Sequence, residues 1–260
     1  MPRGVSRVDE ALLQRRLWTP AVLRPSAWFD AADLSTITVA TGISEWRDKS
    51  GFGNHVSQAT GADQPAYTVR GLNGLNVVTF DGSSDFLTNS TYSFPTVYSI
   101  YAVGRSNASS YARLLNVGGT TDTTGFVGSN SNNYATFFGN QVTWNDVTAN
   151  TPNQSVTSTS ILGIVKDDAV GGAAPYFNGT AQNTKNGTTV SATGFVLGRG
   201  TVGAGSSDQR WNGIIAETII LPALSTTAQR QSIEGYLAWK WGLVANLPAA
   251  HPFKNRPPVI

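Results

Sequence analysis

The sequence predicts an all-β protein, a sandwich or jelly roll, carrying one amphipathic helix near its C-terminus and a short helix at its N-terminus. Three observations predict this. Short apolar runs recur at roughly ten-residue spacing with Gly or Asn between them, the rhythm of antiparallel strands joined by tight turns. Charged residues make up only 13% of the chain and glycines number 27, the balance of a turn-rich β protein. Helical spacing of apolar residues, by contrast, is confined to the two ends. At 260 residues the chain fits one large β domain, which we place at 18–245, after an N-terminal attachment segment (1–17) and before an extended Pro-rich tail (246–260).

In order, the chain opens with MPRGVSRVDEALLQRRL, a helix expected from Ser6 to Leu17 with Ser6 and Asp9 at capping-box spacing. Val8, Ala11 and Leu12 fall on one side of it, Leu13 and Leu17 nearer the other, so the segment could bridge two surfaces and dock to another subunit, against the alternative of a terminal helix folded on its own domain or frayed. Ala27-Trp28-Phe29 then begins a strand, Ile37 and Val39 alternate with Thr, and Trp46 ends a strand that runs into Asp48-Lys49-Ser50-Gly51, a turn by composition. Asn76 to Phe80 is a strand closed by a second turn at Asp81-Gly82. Further strands are expected at Tyr98–Val103, Arg113–Val117, Gly125–Val127, Tyr134–Phe138, Gln141–Trp144, Ile161–Val165, Ala174–Phe177 and Gly194–Leu197. Asn178-Gly179 is a hairpin signal suited to a type I′ turn, and the polar stretch 145–160 reads as a long exposed loop.

Ile214 to Leu221 is an apolar run of strand length, stopped by Pro222 and interrupted by Glu217 and Thr218. An unpaired buried charge is costly, so Glu217 is expected at an edge or facing outward. Thr226 and Gln229 form a capping box, and Ile233, Tyr236, Leu237 and Trp241 share one face of the helix that follows. Arg230 and Glu234 fall largely off that face, Trp239 lies well away from its centre, and Gly242 suits a left-handed C-cap. The tail LPAAHPFKNRPPVI is proline-rich, with Phe253 and Val259 as anchors against the domain or a neighbour.

Composition also excludes functions. A net charge of +2 without a basic cluster argues against nucleic acid as a partner. No run of 18 apolar residues occurs, which argues against membrane insertion, and no apolar segment follows the charged N-terminus as in a signal peptide, so synthesis in the cytosol is expected. Without cysteine there is neither a disulfide framework nor a thiolate metal site. His55 and His251 are too few for a zinc site and read as loop residues rather than as a general base.

The segments WFDAADLSTIT, W-x-DKSGFGNH, LNVVTFDGSSDFL, WNGIIAETIIL, IEGYLAWKWGL and LPAAHPFKNRPP, in that order, resemble the concanavalin A-like, laminin-G-type jelly-roll domain of bacteriophage virion proteins and multidomain bacterial surface proteins. The resemblance runs from Trp18 to Pro258. It implies a two-sheet antiparallel jelly-roll sandwich, often with a carbohydrate- or protein-binding role. Hydrolases sharing that fold need paired carboxylates, and the chain shows no cluster of alternating acidic residues, so no catalytic residue and no enzyme activity are expected. Several domains of this type bind calcium through oxygen ligands; Asp30, Asp48, Asp81 and Asp85 are the candidates here, against the alternative that they cap turns.

Sugar binding needs an aromatic platform with polar groups beside it, for which Tyr134, Trp144 and Tyr111 are the candidates, against the alternative that they pack in the core. Trp28, Trp46, Trp211 and Trp241 are assigned to the core or to helix docking. The expected role is a non-enzymatic structural component of a phage particle, a capsid decoration, fibre or tail protein made in the host cytoplasm. Its partners would be other virion proteins, its own copies as a homo-oligomer, and a host surface glycan. The alternative is a free carbohydrate-binding module or lectin domain of a bacterial protein.

Overall fold

The computed structural model describes residues 16–107, 112–118, 124–130, 133–135, 157–167, 172–182, 185–186, 193–200 and 209–260. Its strands are, in chain order, β1 (Ala27–Asp30), β2 (Ile37–Val39), β3 (Ile43–Trp46), β4 (Val56–Ser57), β5 (Ala66–Leu72), β6 (Leu75–Asp81), β7 (Leu87–Ser93), β8 (Val97–Ser106), β9 (Ala112–Val117), β10 (Thr124–Asn130), β11 (Asn133–Ala135), β12 (Ser160–Asp167), β13 (Gly172–Phe177), β14 (Thr180–Ala181), β15 (Lys185–Asn186), β16 (Thr193–Leu197), β17 (Arg199–Gly200), β18 (Gln209–Arg210) and β19 (Asn212–Leu221). Helix α1 (Thr227–Trp241) follows β19.

One sheet runs β14-β13-β12-β8-β19-β6-β5, with β1 added beside β19 and β15 beside β13. The other runs β11-β10-β9-β16-β7-β4-β3-β2, and β17 pairs with β18 in a small ribbon. Every pairing among the described residues is antiparallel. The antiparallel two-sheet sandwich expected from the sequence is therefore present.

Strand pleating sorts the side chains of the first sheet into two cores. From β8, Tyr98, Ile100 and Ala102 point between the sheets, while Tyr101 and Val103 point to the outer face that α1 covers. Between the sheets the aromatic rings interlock: Phe29 of β1 meets Trp46 of β3 at 5.7 Å and Phe195 of β16 at 5.8 Å. Trp46 and Trp211 are fully buried there, and Trp241 is fully buried under α1. The result is three layers: sheet, sheet, helix.

Helix α1 starts where the sequence places it. Thr226 accepts from the Gln229 amide while the Gln229 side chain accepts from the Thr226 amide, and Gly242 (φ 72°) closes the helix. Its start is fixed to the sheet as well, because Ser225 bonds both the Tyr101 hydroxyl and Ser99 Oγ of β8. The Asn178-Gly179 hairpin also forms, with φ of 48° and 80° at the two turn residues and Phe177 opposite Thr180. Positive φ at both positions is what a type I′ turn requires.

Two features of α1 and β19 go beyond what the sequence indicates. Arg230 and Glu234 are buried: one Arg230 Nη1 lies 2.8 Å from both Glu234 oxygens, and His251 Nε2 lies 3.1 Å from Glu234 Oε2. The Arg230 guanidinium rests 4.0 Å over the Tyr176 ring. The tail and β13 thus supply a cover for this face that helical periodicity alone does not reveal, and His251 is a buried partner rather than a free loop residue. Glu217 is the second case, being completely buried instead of outward-facing.

The reason lies in the pairing of β19 with β8, which slips one residue between Ile215 and Glu217. The bulge leaves Ala216 unopposed and reverses the alternation. Ile215 and Ile220 face the inter-sheet core, whereas Ala216, Glu217 and Ile219 face the helix. Without that extra residue the Glu217 carboxylate would point among the inter-sheet aliphatics.

The expected N-terminal helix falls on residues outside those described, apart from its last two positions. There the structure differs: Arg16 and Leu17 are extended and pair with the tail. Leu17 bridges Val259, the Trp18 amide donates to the Pro258 carbonyl (3.0 Å), and the Ile260 amide donates to the Arg16 carbonyl (2.9 Å). Phe253 packs so tightly on α1 that a Cβ at Gly235 would lie 2.6 Å from its own Cβ.

Candidate functional site

Glu217 is the hub of the helix-covered face. Its Oε1 accepts from Trp28 Nε1 (2.7 Å) and the Tyr236 hydroxyl (3.0 Å), and its Oε2 accepts from Lys240 Nζ (2.8 Å) and Trp241 Nε1 (2.7 Å). An indole N–H can only donate, so each oxygen is held as an acceptor. Burial pushes the Glu217 carboxyl above its usual range and the Lys240 ammonium draws it back. The Tyr236 phenol is driven far upward by burial and by the Glu217 and Asp30 charges, so it remains a protonated donor.

Directly opposite Glu217 across the β1–β19 ladder stands Asp30. Lys240 Nζ reaches Asp30 Oδ1 at 2.5 Å, Lys49 Nζ reaches Oδ2 at 2.9 Å, and Lys49 also reaches Asp33 at 2.8 Å. Two carboxylates side by side on one sheet face would repel; the two ammonium groups offset that. The chain of bonds fixes Trp28, Tyr236, Lys49 and Lys240 in single orientations.

Above this network the surface opens into two recesses. The larger, about 410 Å³, is lined by Leu17, Trp18, Thr19, Tyr236, Trp239, Lys240, Pro257 and Pro258. Trp239 is 40% exposed, and its Nε1 donates to the Phe253 carbonyl at 2.9 Å, so the ring is presented at a fixed angle. Trp18 meets Tyr236 edge-on at 6.1 Å. The smaller recess, about 200 Å³, is lined by Ala21, Arg24, Pro25, Trp28, Lys49, Ser50 and Phe52. Trp28 and Tyr236, ring centroids 6.5 Å apart, stand between the two. Locked aromatic rings beside polar groups can stack on the C–H face of a small polar ligand at little entropic cost.

The carboxylates considered for calcium are placed as follows. Asp30 belongs to the lysine network just described. Asp48 accepts four bonds, from the amides of Trp28, Ser50 and Asn54 and from Ser50 Oγ, and so ties its turn to β1. Asp81 accepts from the amides of Ser83, Ser84 and Asp85 and from both serine hydroxyls; despite partial burial these bonds hold its carboxyl well below the usual range. Asp85 accepts from the Asp81 amide, and burial pushes its carboxyl up to about 6. Asp81 and Asp85 are brought together; among the described residues no group of three His, Asp or Glu side chains converges as a metal site. For sugar binding, Tyr111 and Trp144 lie outside the described residues. Tyr134 is placed on β11 by its backbone, opposite Ser129 of β10.

The groove at Trp239 is not among the sequence candidates. Its one sequence signal is the displacement of Trp239 from the apolar stripe of α1; Trp18 and the two prolines join it only through the pairing of the chain's two ends.

Fold and groove together define a class: an antiparallel β-sandwich with an aromatic cleft on its helix-covered side. No family model matches the chain and no curated protein does. Solved structures do. A structure of botulinum neurotoxin type C, a toxin whose cell entry depends upon interaction with two ganglioside molecules, is similar with TM-score 0.55 at 12% identity, over 84% of this chain and 53% of that one. Trypanosoma rangeli sialidase in complex with sialic acid matches with TM-score 0.54 at 8% identity, over 82% of this chain and 33% of that one. Domain 4 of an extracellular arabinanase from Geobacillus stearothermophilus, in complex with arabinotriose, matches with TM-score 0.50 at 16% identity, over 79% of this chain and 95% of that one. The chain thus spans a third to a half of the neurotoxin and sialidase structures. At these identities the likeness is one of fold, and it lends no support to the virion setting expected from the sequence.

Proposed function

We propose that this domain is a non-catalytic carbohydrate-binding module and that the cleft beside Trp239 is its saccharide site. The observation that carries the reading is the half-exposed Trp239 ring, fixed by its bond to the Phe253 carbonyl and flanked by Trp18, Tyr236 and Pro257–Pro258 around about 410 Å³. Saccharides present apolar C–H faces to such rings and hydroxyls to the polar groups beside them. The ligands of the similar structures, gangliosides, sialic acid and arabinotriose, support it. A binding role rather than hydrolysis is favoured because Asp30 and Glu217, adjacent on the sheet, are buried and both engaged by Lys240 instead of flanking an open cleft.

Retention on a panel of soluble and immobilised polysaccharides tests this. Wild-type protein is expected to be retarded by at least one member, and Trp239→Ala to weaken that binding about tenfold or more, equivalent to 1.4 kcal/mol, with the fold retained by circular dichroism. No retention of the wild type by any member would sink the proposal. The second reading is a capsid-decoration or tail component of a phage particle, supported by the ordered motif series from Trp18 to Pro258; mass spectrometry of intact particles tests it.

A further inference from the structure

We infer that the saccharide bound here is acidic, its carboxylate received by Arg24 in the smaller recess while the neutral part of the chain lies on Trp239. This rests on the carbohydrate-binding reading above and names the class of its ligand.

The side chains lining the two recesses include three cations, Arg24, Lys49 and Lys240, and no carboxylate. Two acidic residues of this region sit behind them, the Glu217 side chain 0% and that of Asp30 5% exposed, and the third, Asp33, is half-buried and held by Lys49 at 2.8 Å. Those carboxylates are already matched to the two lysines, Lys240 to Glu217 and Asp30, Lys49 to Asp30 and Asp33. Arg24 differs. It is exposed and at the edge of the smaller recess, and its guanidinium makes no hydrogen bond or ion pair with any described residue. A guanidinium offers a planar pair of N–H donors that fits a carboxylate in a bidentate fashion.

The backbone at Arg24 makes the same point independently. It caps the short 3-10 helix Pro20–Leu23 in the left-handed region, φ 52° and ψ 60°, with its amide bonded to the Ala21 carbonyl. Glycine or asparagine is the easy choice for that conformation. A long charged side chain held exposed at the lining of a recess by such a backbone points to a role for the side chain itself. Next to it, Phe52 is 63% exposed between Gly51 (φ 91°) and Gly53 (φ 78°), a turn that lifts an aromatic ring to the rim of the same recess. Ring and guanidinium together present the apolar and cationic contacts that a uronate or other carboxylated sugar residue needs, and the Trp28–Tyr236 pair joins this subsite to the Trp239 cleft.

The test uses the full chain and a matched panel: polygalacturonate, alginate and hyaluronan as carboxylated polysaccharides, methyl-esterified polygalacturonate as the same backbone without charge, dextran and arabinan as neutral ones, and dextran sulfate as a non-carboxylate polyanion. The wild type is expected to bind at least one carboxylated member about tenfold or more tightly than any neutral member or dextran sulfate, and to lose that preference on esterification. Arg24→Gly, which suits the left-handed backbone and so keeps the fold, is expected to abolish the preference, as is Arg24→Glu; Trp239→Ala weakens binding to every member alike. Equal binding of neutral and carboxylated members, equal binding of dextran sulfate, or an unchanged preference in Arg24→Gly overturns the inference while leaving a carbohydrate-binding module in place. Binding to no member overturns both.

Discussion

Glu217 is shut off from bulk solvent, and four side-chain donors satisfy its two oxygens instead. Two of them are indole N–H groups that cannot turn round to accept. Glu217→Gln keeps the shape but offers an NH2 where one oxygen stood, so at least one donor on that side faces another donor, and Lys240 loses a counter-charge. Breaking a buried, hydrogen-bonded ion pair in this way costs about 3–5 kcal/mol. Urea unfolding should show that loss; a variant within about 0.5 kcal/mol of wild type would mean that the hub contributes nothing. The carboxylate was visible in the sequence, its surroundings were not. An apolar strand with one acid reads as having an exposed position, because the cost of burying a charge is local knowledge. The donors that remove the cost come from residues 28, 236, 240 and 241. The burial of Arg230 and Glu234 was hidden for the same reason, their cover being His251 and Tyr176.

Elements whose signals are local were legible: the capping box at Thr226, the left-handed close at Gly242, the Asn178-Gly179 hairpin and the long buried strand before Pro222. The bulge in β19 was not, since one extra residue in a strand leaves no compositional mark and becomes apparent only against the register of β8. The turn between β6 and β7 carries its own electrostatics. Asp85, raised from 3.8 to about 6 by burial and by the nearby Asp81 and Asp63 charges, binds its proton more tightly in the folded than in the unfolded protein. Its stabilising contribution is therefore complete below about pH 4 and is lost as the pH rises through 6. Asp81 is shifted the opposite way, so its contribution is present above the ordinary carboxyl range and persists until strong acid. Asp85→Asn retains an acceptor for the Asp81 amide and removes the titration. Its melting temperature should equal that of wild type at pH 4 and exceed it at pH 7.5. A difference that stays constant across that range would exclude Asp85 as the titrating group.

At the scale of the molecule, the two layers follow from strand rhythm, whereas the order of strands within each layer does not. Pairs such as β1 with β19 join residues far apart in the chain, and no turn chemistry encodes them. The cleft is equally non-local: Leu17, Trp18 and Thr19 form one wall, Pro257 and Pro258 another, and α1 the floor. Removing Pro257–Ile260 should leave the sandwich and α1 intact by circular dichroism. It should cost about 1–2 kcal/mol for two main-chain bonds and one buried proline, a drop of roughly 2–4 °C per kcal/mol, and abolish polysaccharide retention. Full retention by the shortened chain would place the ligand elsewhere. The antiparallel bridge of Leu17 with Val259 has one more consequence. Tension applied between the two ends would load its bonds one after another, as a zip is opened, rather than all at once. The cleft would come apart before either sheet felt the pull, and would close again when the load was released.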